Sequence, residues 1–171
     1  MAIGPDRPGI VSTVSAFLAE RGCNLEDSKM SVLGEDFSLA VLFSGEKNCV
    51  DKAQADIKIL ETLAGLTTLL KDTKNPGNSR KASALNYKLE AFGVDHTGIV
   101  TEITAVLHKN KINVENMETY LEEPSASGTP VFHMSVKITL PSDLPLIRLK
   151  EELTKVEAKQ NLKITLFPSK L

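Results

Sequence analysis

The chain has 171 residues, a formal net charge of −2, 42% hydrophobic and 25% charged residues. This balance excludes a membrane-spanning class, because no apolar run approaches the roughly 20 residues of a span, and it speaks against direct nucleic-acid binding, which needs a basic stripe. Cys23 and Cys49 are the only cysteines; without a CxxC pair or a neighbouring histidine they imply reduced thiols in a cytoplasmic protein, with no metal site and no cofactor.

In chain order, residues 1–3 read as the remnant of a strand. The phrase Gly4-Pro5-Asp6-Arg7-Pro8-Gly9-Ile10-Val11 is a strand-to-helix turn. Ile10, Val11, Val14, Phe17 and Leu18 then recur at helical spacing, and Gly22 ends that helix in the manner of a glycine just past a C-terminus. A strand is predicted over 24–33 and a turn over 34–36. The next strand carries Phe37, Leu39, Val41 and Phe43 on one face. A single helix over 50–64 is expected from the stripe Val50, Ala53, Ile57, Leu60 and Ala64, and a last strand over 66–72. Residues 75–83 have linker composition.

The order strand, helix, strand, strand, helix, strand then returns. Leu85, Tyr87 and Leu89 alternate, Gly93-Val94-Asp95-His96-Thr97-Gly98-Ile99-Val100 repeats the first phrase 89 positions later, and a helix is expected over 98–110. A strand over 113–122 precedes the alternation of Phe132, Met134, Val136, Ile138 and Leu140. Pro145 suits the first turn of the final helix, with Asp143 or Ser142 as its cap, and 162–167 closes the copy. Phe37 answers Phe132 at an offset of 95, so the loop 123–130 is six residues longer than its counterpart and is the more specialised of the two. An internal repeat of this kind marks two copies of one domain. The fold class is therefore α+β, with two ferredoxin-like βαββαβ domains, each a four-stranded antiparallel sheet with two helices on one face. The domains span 1–74 and 84–171. The second copy has a full strand before its motif, so the first strand is expected to be truncated, and a lost targeting segment stays open.

The residues kept outside the hydrophobic pattern are Gly, Asp and Gly of the phrase and a later Asn-x-Glu, Asn24 to Glu26 and Asn113 to Glu115. Unpaired N–H groups and the helix dipole make a helix start a carboxylate or phosphate site. Asp6 and Asp95 read equally as helix caps or as acceptors of a ligand ammonium. Gly9 and Gly98 answer to turn geometry or packing before a ligand. Asn24 and Asn113 serve either a turn after Gly22 and Lys111 or a ligand. Arg7 gives way to His96, so neither is required by the fold; His96 is expected to be solvated, His108 to complement the helix dipole, and His133 to belong to an interface on the open sheet face. No nucleophile–base pair is present, so no catalytic residue is expected.

The stretches Asp6-Arg7-Pro8-Gly9-Ile10-Val11, Ala19-Glu20-Arg21-Gly22-Cys23 and Asn24-Leu25 resemble an ACT domain, a small regulatory amino-acid-binding module, and Asp95-His96-Thr97-Gly98-Ile99-Val100 with Ile112-Asn113-Val114 resembles a second. Asn113-Val114-Glu115-Asn116-Met117-Glu118-Thr119, Pro124 and the stretch from Ser127 to Met134 are similar to the second half of the glycine cleavage system transcriptional repressor family. The formyltetrahydrofolate deformylases begin with a similar phrase but need a catalytic domain for which this chain has no room. The resemblance implies a non-enzymatic regulator with a free amino acid as effector, bound where the first-helix turn of one copy meets the second strand of a neighbour. Carried over, the ligand-binding residues are Asp6, Arg7, Pro8, Gly9, Ile10, Asn24 and Leu25, and Asp95, His96, Gly98, Ile99, Asn113 and Val114. It also implies a homodimer through ACT pairing and a protein partner, a transcription activator or an enzyme, rather than DNA. The alternative is an ACT-pair scaffold or regulatory subunit without ligand binding of its own.

Overall fold

The computed structural model describes residues 1–73, 85–123 and 128–169. The chain divides into two compact units, Met1–Asn75 and Pro76–Leu171. The expected linker at 75–83 and half of the long loop at 123–130, residues 124–127, lie outside the described residues.

The first unit runs β1 (Ala2–Pro5), α1 (Ile10–Glu20), β2 (Asn24–Leu33), β3 (Asp36–Ser44), α2 (Lys47–Ala55), α3 (Ile57–Ala64) and β4 (Thr67–Thr68). The second runs β5 (Leu85–Val94), α4 (Ile99–Lys109), β6 (Asn113–Glu122), β7 (Val131–Leu140), α5 (Leu146–Gln160) and β8 (Leu162–Pro168). Each forms a four-stranded sheet in the order β2-β3-β1-β4 or β6-β7-β5-β8, antiparallel throughout. Both are the ferredoxin-like α+β arrangement that the repeat implied.

Alternation places the core. Along β7, Phe132, Met134, Val136, Ile138 and Leu140 are buried, and they meet Ile103 and Leu107 of α4 and Leu149, Leu153 and Val156 of α5. In the first unit Phe37 and Leu39 meet Val14, Phe17 and Leu18 of α1 and Leu60 and Ala64 of α3. Among the described residues, fifteen buried side chains make the second cluster and eleven the first, so the first unit has the thinner core.

Three expectations are corrected. The helix expected over 50–64 is two helices, broken at Asp56. The apolar stripe does continue across the break. Arg21 Nε donates to Asp56 Oδ2 at 3.0 Å while its guanidinium stacks 3.7 Å over the Phe17 ring, holding the break against α1. The strand expected over 66–72 shrinks to Thr67–Thr68, paired with Ala2 and Ile3, and next to it Leu69 exchanges two bonds with Met1, each 2.8 Å. Finally, Pro145 is the N-cap residue of α5, with no side-chain cap; its carbonyl accepts from Leu149 N at 3.3 Å.

The first glycine of each phrase has a packing reason. A Cβ on Gly4 would lie 2.6 Å from the Gly65 carbonyl oxygen, and one on Gly93 would lie 2.7 Å from Leu162 Cδ2. Both positions let the first strand pass close to the end of the unit's last helix.

Candidate functional site

The turn before α1 is built on Gly9, whose φ is +92°; Gly98 before α4 has φ +100°. An L side chain is strained in that left-handed region, so glycine is required for the backbone. A Cβ at either position would meet nothing within 4 Å, which rules out packing as the reason. Each glycine is the N-cap residue of its helix and neither helix start has a side-chain cap. The cap reading of Asp6 and Asp95 is therefore overturned. Their own N–H groups are tied instead, to Glu35 O at 2.9 Å and to Pro130 O at 3.0 Å. An uncapped helix start leaves its first N–H groups facing outward with partial positive charge.

Beside the first turn lies a groove of about 480 Å³, lined by Asp6, Gly9, Ile10, Ser12, Met30 and Val32 among others. Its wall is the far end of β2. Met30 and Val32 are 65% and 52% exposed and were not singled out in the sequence, because alternation cannot say which apolar residue of an edge strand stays open. Ile10 and Ile99 are core residues at 3% and 2% exposure, and Ile10 reaches the groove only as its floor. Pro8 is exposed on the turn.

Arg7 and His96 play matching parts in their units, and His96 is exposed as expected. Arg7 donates from Nη2 to Leu63 O at 2.7 Å and from Nε to Ala64 O at 3.3 Å, satisfying carbonyls at the end of α3. His96 Nε2 is 2.9 Å from Gln160 O, at the end of α5, and its Nδ1 is 3.1 Å from Thr97 O. Unlike residues do one job: each latches the turn to the C-terminus of its unit's last helix. Two carbonyl acceptors around one imidazole are both satisfied only by the protonated ring, and these contacts raise the His96 pKa above its ordinary 6.5.

The asparagines lie elsewhere. Asn24 pairs with Ser44, and Leu33 and Pro5 both pair with Asp36. The turn and Asn24 are thus eight residue steps apart along β3, roughly 26 Å at about 3.3 Å per step. The second unit repeats this, with Asn113 opposite Thr139 and Val94 opposite Val131. Neither unit brings its own two half-sites together. The turn reading of the asparagines also fails, since the positive φ belongs to Gly22 (73°) and Lys111 (55°).

Between Leu25 and Asp27, and between Val114 and Asn116, the register shifts by a bulge. The extra residues are Glu26 and Glu115, the repeated glutamates. Glu26 Oε1 accepts from Asn24 Nδ2 at 3.0 Å and Ser44 Oγ at 2.6 Å, bonds that hold its carboxyl below the usual range, the Ser44 bond most. Glu115 accepts from Thr139 Oγ1. Leu25 and Val114 flank the bulges, each 40% exposed on an edge strand.

On the open face of the second sheet, His133 stacks on Tyr120 with centroids 4.7 Å apart and lies 6.3 Å from the Phe92 ring. Its Nε2 is 3.0 Å from Glu122 Oε2 but not aligned as a hydrogen bond. His108 occupies the last turn of α4, as expected.

The first turns differ in charge. In α4, Glu102 stands in the first turn and its carboxylate accepts from Lys159 Nζ at 2.6 Å; α1 has Thr13 there and no acidic residue. Within the first helical turn, then, the second unit carries an acidic residue, ion-paired to Lys159, and the first carries none.

This chain matches the ACT domain family model over residues 1–70, within its first unit, and its second unit repeats the same sheet order. It is related to the glycine cleavage system transcriptional repressor of Escherichia coli, 22% identical over 150 residues that cover 88% of this chain and 78% of that protein. Two solved structures share the whole fold. A protein of unknown function from Galdieria sulphuraria is 28% identical with a TM-score of 0.77, and a candidate glycine cleavage system transcriptional repressor is 23% identical with a TM-score of 0.74; each match covers 99% of this chain and 95% of the other.

Proposed function

We propose that this ACT-domain protein senses a small, glycine-like amino acid and passes its occupancy to a protein partner. The observation that carries the reading is the uncapped start of α1 at Gly9, opening on the groove beside Met30 and Val32. The ligand carboxylate takes the free N–H groups there, and Asp6 accepts from its ammonium. The half-site at Asn24 and Leu25 comes from a second ACT edge. Antiparallel pairing of two such edges about a two-fold axis sets the start of one strand against the end of the other. It therefore closes the roughly 26 Å between the turn and Asn24, which a lone unit cannot do. The corresponding residues Asp95, Gly98, Asn113 and Val114 form a weaker second site, opposed by Glu102.

By its name the E. coli relative represses glycine cleavage genes; control of the same process through a partner activator is the role this reading favours here. Calorimetry with glycine, serine and alanine tests it, with acetate and methylamine as half-ligands. Binding of a whole amino acid, lost in Asp6→Ala, is expected. If no amino acid binds at millimolar concentration, the sensing role fails. A second reading, a scaffold without a ligand, draws on the internal engagement of Arg7 and Asn24. Copurification of a metabolic enzyme with ligand-insensitive protein selects it.

A further inference from the structure

Cys23 and Cys49 have no part in the amino-acid site, yet the fold brings them together. Cys23, between α1 and β2, is buried, and Cys49, the third residue of α2, is half-buried against the same cluster. Both are free thiols. Two glycines border their contact. A Cβ on Gly22, the residue before Cys23, would lie 3.1 Å from Cys49 Sγ and 3.9 Å from Cys49 Cβ. A Cβ on Gly45, between β3 and α2, would lie 3.5 Å from both Cα and Sγ of Cys23. Because both positions are glycine, neither puts a side chain between the thiols. Spacings of this size bring the pair within reach of the roughly 4.4–6.8 Å Cα separation that a disulfide needs.

The two sulfurs also act on each other through charge. Burial pushes the Cys23 thiol up, the charge of Cys49 pushes it further, and the Arg21 guanidinium draws it down. Packing alone does not call for a thiol here. The second unit has Ile112 at the place of Cys23, at the same 7% exposure, and fills its core without any cysteine.

We propose that Cys23 and Cys49 are a redox-modification site, joined by a reversible disulfide that fastens the first turn of α2 to the start of β2. The oxidant is a low-molecular-weight disulfide. Cys49, the more accessible thiol, attacks it as the thiolate: the reagent's S–S bond breaks, a mixed disulfide forms on Cys49 and one small thiolate leaves. The Cys23 thiolate then attacks Cys49 Sγ, which forms the Cys23–Cys49 bond and expels the second small thiolate. Two protein thiols are oxidised, one small disulfide is reduced to two thiols, and the protons lost by the cysteines end on those thiols.

The bond falls beside the first bulge. Asn24 follows Cys23 and Ser44 precedes Gly45, and both side chains donate to Glu26 Oε1. Joining the two backbones at this place restrains the Asn24 half-site with or without a bound amino acid.

The intact, native protein is equilibrated with mixtures of oxidised and reduced glutathione and quenched with acid, and its free thiols are followed by alkylation and intact mass. Both thiols are expected to be lost in one step, with no glutathione retained and no dimer formed, and dithiothreitol is expected to restore them. Cys23→Ala is expected to keep glutathione on Cys49, because nothing displaces it, and Cys49→Ser to stay unmodified, because Cys23 is buried. In the oxidised protein, amide exchange is expected to slow at residues 23–26 and 45–50 with the second unit unchanged, and the denaturant midpoint of the first unit to rise. Glutathione retained on Cys49 of the unaltered protein, a disulfide between two molecules, both thiols left free in the most oxidising mixture, or unchanged exchange at residues 23–26 overturns the proposal.

Discussion

The two units share a phrase, a topology and a bulge, yet they are finished differently. The second has a sheet paired along its length, and Leu89, Ile103, Val136 and Leu149 are wholly shut from solvent. The first has a short central strand, a cavity behind β3, and a helix start with no acidic residue in its first turn. A repeated phrase therefore sets a local turn, while the surroundings decide which charges that turn faces. The same lesson comes from Arg7 and His96, where a permanent cation and a titrating ring bind matching helix ends.

Truncations in the core should separate the units most. Leu149→Ala is expected to destabilise the second unit by about 2–5 kcal/mol, and Phe43→Ala, at the wall of the open cavity, to cost the first clearly less; denaturant unfolding followed by exchange in each unit reads both. Equal losses would mean that the cavity is closed in solution. Next come Gly9→Ala and Gly98→Ala, each expected to cost about 1–2 kcal/mol through the left-handed backbone, with no steric clash. A free substitution at one of them would break the equivalence of the turns.

Smaller effects follow from charge. Because the His96 pKa is raised, its latch contributes fully below 6.5 and fades as pH rises past the raised value. His96→Ala should then lower the melting temperature at pH 5.5 more than at pH 8.5. Arg7→Ala should show the same small loss at both, since the guanidinium stays charged. Smallest is the acid response of Glu61 and Glu152. Hydrogen bonds from Lys58 and Thr68, and from Lys109 and Asn110, hold each carboxyl down at about 2, so their contributions persist above 4.5 and vanish as pH falls toward 2. Glu61→Gln and Glu152→Gln should flatten the acid limb of a melting profile, each in its own unit.

Much of the fold was legible because its signals are local. Alternation from Phe132 to Leu140, helical spacing from Ile10 to Leu18, and a glycine after α1 each act within a few residues. The break at Asp56 was not legible, since the stripe runs through it and its cause, Arg21, comes from another helix. The site was half legible. Repetition singled out Gly9, Gly98 and the glutamates of the bulges, but the task of Arg7 depends on where α3 ends, which no neighbour in sequence reveals. The distance from Asp6 to Asn24 is likewise a matter of sheet order: the residues are close in the chain and lie at opposite ends of β2.

The bulges at Glu26 and Glu115 interrupt the two most exposed strands of the molecule, each ten residues long and at a sheet border. Bare borders of that length invite run-on stacking into fibres. A carboxylate inserted near the start of each, tied back to Ser44 or Thr139, kinks the ribbon and puts negative charge in the path of any straight newcomer. Only a border kinked to match can dock along its whole length. A kink of this kind therefore both discourages run-on stacking and narrows the set of borders that fit, and deleting either glutamate is expected to raise turbidity.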